Sequence, residues 1–306
     1  MTATVPGSAA SASGTAPRTA LVLGGGGIAG IAWEVGVLSR LLELGVPLDD
    51  ADLVVGTSAG SVVGAELRRG GVPAGYLEQL EPAPDQPAAT LDVEAFQTAV
   101  AQAVAGATDE QEARARLGAL ARRVPVPADG PELVAAMRGR FGEDAPWPDG
   151  DLVVCTVDAT TGAFRVLGRE DGVPLPVAVA ASCSVPLVWP TVDVAGAATM
   201  DGGTRSGTNA DVADAAERVL VLSCGPEPET SPLGPSLPRV VRARRAAGRA
   251  VHVVEADEDA LRAFALGSLS PASRRPAAEA GRRQADAVAD AVRAFWTDDG
   301  APVGPR

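Results

Sequence analysis

Twice within its first 70 residues the chain passes from a short apolar run, through a cluster of small residues, into a segment patterned as a helix. Thr19–Leu23 runs into four glycines, and Ile31–Leu44 then carries Ile31, Val35, Leu38 and Leu42 at helical spacing before Gly45 closes it as a C-terminal cap. Asp52–Val55 runs into a second small-residue turn and a helix over Ala59–Arg68. Strand, helix, strand, helix in this order predicts a parallel sheet covered by helices. The expected fold class is α/β, with a mostly parallel central sheet flanked by helices.

Residues 72–150 differ in character. Pro and Gly punctuate them, and Val93–Val104, Asp109–Arg123 and Pro131–Phe141 have helical pattern, which reads as a helical cap inserted over the sheet. The α/β pattern resumes at Leu152–Asp158 and Ala163–Leu167, a hairpin around Thr160–Thr161–Gly162, followed by a short helix at Val177–Ser182. Strands are expected at Arg218–Ser223 and, last, at Val251–Glu255, and Glu279–Trp296 is an amphipathic closing helix. Residues 1–17, rich in Ala, Ser and Gly, read as a flexible tail, and 18–300 as a single domain with the insertion at about 72–150.

Composition narrows the function classes. Of the 306 residues, 46% are hydrophobic and 21% charged, enough for a sizeable core; with 3% aromatics that core must be Ala, Val and Leu. The net charge of −13 argues against a nucleic-acid partner. There is no Lys, so every basic side chain is Arg. The tail lacks a basic start followed by an apolar stretch, so it does not read as a secretory signal. The most apolar region, Val173 to Met200, is broken by Pro174, Pro176, Pro186 and Pro190, so no transmembrane segment is expected and membrane contact should be peripheral. Cys155, Cys183 and Cys224 form no disulfide framework and read as reduced thiols of a cytoplasmic protein.

Three motifs carry chemistry. Gly24–Gly30 follows a strand and opens a helix, so free N–H groups there favour negative charge. Gly25, Gly27 and Gly30 also satisfy G-x-G-x-x-G, and Asp49, Asp50 and Asp52 follow about 20 residues on, which sustains a nucleotide-binding alternative using Gly25–Gly30 as a phosphate loop. No Lys follows the glycines, so it is not a P-loop. Gly56–Thr57–Ser58–Ala59–Gly60 is a G-x-S-x-G sequence in the strand-to-helix context of a nucleophile elbow. Met200–Asp201–Gly202–Gly203 places a carboxylate beside two glycines after the apolar–polar run Thr191–Thr199; alone, it reads as a turn.

As a set these motifs are specific. LVLGGGGIAG, VVGTSAGSVVGAEL and MDGGTRSGTNADVA resemble the three signatures of the patatin-like phospholipase family, and ASCSVPLVWPTV resembles the segment before its Asp-Gly-Gly. The resemblance spans roughly Thr19 to Asp211. It implies a serine lipid acyl hydrolase of phospholipase A, lysophospholipase or esterase type, acting on a lipid or ester substrate without a cofactor or metal. By that resemblance Ser58 is the nucleophile, Asp201 its partner in a Ser-Asp dyad, and the N–H groups of Gly25, Gly26 and Gly27 the oxyanion hole. Two departures are visible: Gly24 stands where plant patatins carry Asp, and Ala29 where many bacterial members carry Arg or Lys.

A Ser-His-Asp triad would need His252, the single histidine, but it falls within a strand pattern and reads as structural. The acidic clusters at Asp49–Asp52 and Asp257–Asp259 read as helix caps and not as metal ligands. Arg239, Arg242, Arg244, Arg245 and Arg249 read as a solvated helix face.

Overall fold

A computed structural model describes residues 17–82, 93–126, 128 and 132–297; all but the last residue of the expected tail lies outside them. The two opening units fold as their pattern predicts: β1 (Thr19–Leu23), α1 (Gly27–Glu43), β2 (Leu53–Thr57) and α2 (Ala59–Arg68). Every residue of β2 is buried. Along β1, Leu21 and Leu23 join the core under α1, while Ala20 and Val22 join the core on the opposite face, which is why the run is continuously apolar.

Among the described residues, the inserted region holds four helices: α3 (Val72–Leu80), α4 (Val93–Val104), α5 (Glu110–Ala121) and α6 (Glu132–Phe141). Then come the hairpin β3 (Asp151–Asp158) and β4 (Phe164–Leu167), α7 (Leu175–Ser182), and a second hairpin of β5 (Val192–Val194) and β6 (Ala197–Asp201). The chain closes with β7 (Arg218–Ser223), α8 (Leu237–Ala246), β8 (Ala250–Glu255), α9 (Glu258–Phe264) and the long α10 (Arg274–Thr297).

The strands form one mixed sheet in the order β5-β6-β3-β2-β1-β7-β8, with β4 also paired to β3. The five strands from β3 to β8 along that order are mutually parallel, whereas β4, β5 and β6 enter antiparallel through the two hairpins. Within the insertion, Leu133, Val134 and Met137 of α6 join Trp147 against α7 and the β5 region, and Trp147 Nε1 donates to the Val173 carbonyl at 2.7 Å. On α5, Arg114 Nε donates to the Gly162 carbonyl at 2.8 Å, fastening the helix to the β3–β4 turn. No helix among the described residues is long and apolar enough to cross a membrane.

Candidate active site

Sheet register brings the two expected catalytic side chains to one place. At the carboxyl end of β2, Thr57 lies opposite Cys155 of β3, and the next β3 residue, Thr156, lies opposite Asp201. Ser58 and Asp201 therefore flank the same end of β3. Gly202 passes so close to the Cys155 carbonyl that any Cβ there would overlap it, so glycine is required for the Asp201 turn to approach.

Ser58 sits at φ 51° and ψ −117°, a conformation that glycine adopts freely and a side chain does not. The strain is held by specific bonds. The Ser58 N–H donates to Ser182 Oγ at 2.9 Å, and Ser182 Oγ donates to the Cys155 carbonyl at 2.8 Å. The Ser58 carbonyl accepts from the Ser61 N–H at 2.9 Å and from the Ser61 hydroxyl at 2.6 Å.

Asp201 is 3% exposed. Its Oδ1 accepts the Gly203 N–H at 2.7 Å, while Oδ2 is buried with no hydrogen bond of ordinary geometry. Burial pushes its pKa up to about 7, against the opposing influence of the Ser58 hydroxyl and the Gly203 N–H. The Ser58 hydroxyl favours the Asp201 carboxylate, but the two make no hydrogen bond of ordinary geometry.

The glycine loop lies against the elbow, with the Cβ direction of Gly25 pointing 3.3 Å from Ser58 Cβ. The expected three donors are not equivalent. The Gly25 N–H donates to the Gly207 carbonyl at 2.8 Å and so is engaged within the protein. The N–H groups of Gly26 and Gly27 have no partner among the described residues. Near the loop, Glu34 is fully buried with neither carboxylate oxygen bonded, and burial holds its pKa well above the usual carboxylate range, with the Gly24 backbone only partly opposing.

Other candidates are set aside by burial, by a structural role or by distance. Burial pushes the thiols of Cys155 and Cys183 up to about 12, which disfavours a thiolate nucleophile. Asp52, which sustained the nucleotide-binding alternative, accepts the N–H groups of Arg18 and Thr19 at 2.8 and 2.9 Å, tying the start of β1 to the start of β2. Asp49 and Asp50 line an open cavity of about 480 Å³ with Leu42, Val46 and Leu67, at the amino end of β2 and therefore at the opposite end of the sheet from Ser58. Among the arginines expected on a solvated face, Arg244 is 2% exposed and donates to the Ala213 and Ala216 carbonyls, so it is structural.

His252 pairs laterally with Leu220, Leu220 with Leu21, and Leu21 with Val54, four residues before Ser58. Three strand spacings across and four residues along place it roughly 20 Å from the elbow, where it stacks on Phe295 with ring centroids 5.4 Å apart. His252→Gln should therefore turn over a short-chain ester within a few-fold of the wild type; a loss of about 10⁴-fold, as triad disruption gives, would reinstate the histidine.

Sequence reasoning did not single out Ser182 or Asn209. Ser182 braces the strained elbow, and Asn209 is fully buried with its side-chain amide bonded to both loops of the site. Each lies inside a quoted segment, but only tertiary contacts reveal its partners.

No curated protein sequence matches the chain. Among solved structures, the crystal structure of the type III effector protein ExoU is similar at a TM-score of 0.40 and 14% identity, covering 91% of this chain and 53% of that one. This chain thus spans about half the length of that structure. The family model described as patatin-like phospholipase matches residues 21–214, an interval that holds the glycine loop, the serine elbow and the Asp201 turn, and the chain belongs to that family.

Proposed function

We propose that the protein is a serine acyl hydrolase of lipid esters in which Ser58 is the nucleophile and Asp201 the base. The observation that carries this reading is the strained Ser58 at the same end of β3 as a buried Asp201 whose Oδ2 has no hydrogen-bond partner among the described residues. A serine hydroxyl needs a base to become an effective nucleophile. Asp201 takes the hydroxyl proton as Oγ bonds to the ester carbonyl carbon. The Gly26 and Gly27 N–H groups, which have no partner among the described residues, receive the oxyanion, a contribution in which one donor commonly matters by about 10²–10³-fold. Collapse expels the alcohol, which takes the proton from Asp201, and leaves acyl-Ser58. Asp201 then removes a proton from water, whose attack releases the fatty acid and restores the serine.

A fluorophosphonate probe should label Ser58, identified by peptide mapping, and a panel of phospholipid, lysophospholipid, triacylglycerol and short ester substrates should then rank the classes. Labelling that persists unchanged in Ser58→Ala would sink the assignment.

A further inference from the structure

We infer that Asn209 is a positioning residue for this reaction: its buried amide clamps the turn carrying Asp201 to the elbow carrying Ser58, and so sets the gap across which the proton moves. The inference rests on the Ser58–Asp201 reading above and adds a residue to it.

Asn209 is 0% exposed and sits at φ 48°, in the left-handed region that Asn tolerates better than most side chains. The two hydrogens of its Nδ2 are shared among three acceptors, Thr57 Oγ1 at 3.1 Å, the Gly202 carbonyl at 3.1 Å and the Ser206 carbonyl at 3.0 Å. Thr57 immediately precedes the nucleophile and Gly202 immediately follows the base. One planar amide therefore joins the two loops next to their reacting residues, although those loops lie far apart in sequence.

The amide is itself held from behind. Its Oδ1 accepts Arg205 Nη1 at 2.8 Å, and Arg205 donates to both carboxylate oxygens of Asp211, at 3.0 and 2.5 Å. The Arg205 guanidinium also lies 4.0 Å above the Phe164 ring. The Asn209 N–H donates to Ser206 Oγ at 3.0 Å, which fixes the backbone from which the side chain projects.

A buried Asn that only satisfied its own turn would need the Ser206 carbonyl and nothing on β2. The Thr57 bond crosses to the nucleophile strand, and Thr57 Oγ1 passes it on by donating to the Thr208 carbonyl at 3.3 Å. Few side chains can replace this one. A carboxylate lacks the donors, an aliphatic group lacks both functions, and Gln places its amide one methylene further out. Reacting groups displaced by about 1 Å commonly lose about 10²-fold in rate.

The test uses Asn209→Asp together with Thr57→Val and Thr57→Ser in the full-length protein. Asn209→Asp keeps the size and can still pair with Arg205, but sets a carboxylate oxygen against the Gly202 and Ser206 carbonyls. Thr57→Val removes the hydroxyl acceptor and Thr57→Ser restores it. On a short-chain ester, Asn209→Asp and Thr57→Val should each lower kcat by about 10²-fold with KM within about three-fold. Thr57→Ser should recover at least about ten-fold over Thr57→Val, and fluorophosphonate labelling of Ser58 should slow in parallel with kcat. In Thr57→Val, which adds no charge, the acid limb of the pH–rate profile should move to higher pH, because a receding Ser58 hydroxyl no longer favours the Asp201 carboxylate; loss of stability alone would not move it. Folded variants with kcat within about three-fold of the wild type, or a Thr57→Val protein with an unmoved acid limb, would overturn the clamp. If Asn209→Asp fails to fold, the Thr57 pair decides. A Ser58→Ala protein that keeps its turnover would instead remove the dyad, and the clamp with it.

Discussion

Asp201→Asn is expected to lower turnover of a short-chain ester by about 10⁴-fold while leaving the protein folded. The amide has nearly the same shape and can still accept the Gly203 N–H that now bonds Oδ1, but it cannot take the serine proton. The wild type should show a matching pH dependence. Burial pushes Asp201 up to about 7, so the carboxylate proposed as the base is the minor form below that pH. The ratio kcat/KM should fall about tenfold per pH unit below pH 7 and level off above it. Stability moves the other way. A carboxyl whose folded pKa lies above its unfolded one binds its proton more tightly in the folded state. Its stabilising contribution is complete below the unfolded value near 4 and is lost as pH rises through the folded value near 7. Asp201→Asn should therefore melt higher than the wild type at pH 8, with the difference closing toward pH 4. Turnover within ten-fold of the wild type at pH 8 would show that another group is the base, and an unchanged stability gap between pH 4 and 8 would show that Asp201 is not the buried acid described.

The sequence made the site legible where chemistry constrains residue type over a short span. A strand that turns sharply into a helix needs small residues around the serine, and Gly56 to Gly60 supplies them in one reading frame. The same holds for the glycine loop and for the Asp201 turn, which needs Gly202 against the Cys155 carbonyl. What stayed hidden depends on partners far along the chain. Nothing near Gly25 announces that Gly207 will take its N–H, and nothing near Asn209 announces Thr57. Some elements were masked by their own composition. α3 begins with Val72 and Pro73 in a Gly- and Pro-punctuated stretch outside the three helical patterns of the insertion, and proline is tolerated there only because a helix leaves its first N–H groups unpaired. The β5–β6 hairpin reads from sequence as one apolar–polar run, because its turn uses Ala195 at φ 54° beside Gly196 rather than the Asn-Gly or Asp-Gly that usually marks such a turn. α8 looked like a solvated arginine face because charge pattern cannot show that Arg244 turns inward onto two carbonyls.

The same substitution, glycine to alanine, should have opposite effects at two helical positions. Gly139 lies in α6, is exposed, and a Cβ there would meet nothing within 4 Å. Alanine at that position removes backbone freedom from the unfolded chain and should stabilise the protein by about 0.5–1 kcal/mol. Gly60 lies in the first turn of α2, where it donates its N–H to the Gly24 carbonyl at 3.0 Å. A Cβ there would overlap the Leu23 carbonyl group, which is backbone at the end of β1 and cannot swing aside as a side chain would. Overpacking of this kind commonly costs about 1–3 kcal/mol and more where backbone must move, which exceeds the helix-propensity gain of about 1 kcal/mol. Gly60→Ala should therefore destabilise by about 3 kcal/mol. Relief of the overlap requires α2 to shift away from β1, carrying Ser58 away from the Gly26 and Gly27 N–H groups, so any folded fraction should also lose about 10²-fold in turnover. Denaturant unfolding of the two variants and the wild type measures the first effect, and ester hydrolysis by the Gly60→Ala protein at a temperature where it is folded measures the second. A Gly60→Ala protein as stable as Gly139→Ala would mean that α2 does not press on β1 as described. A destabilised protein with full turnover would mean that the glycine loop follows the elbow when it moves, and that the distance between them is not fixed by this contact.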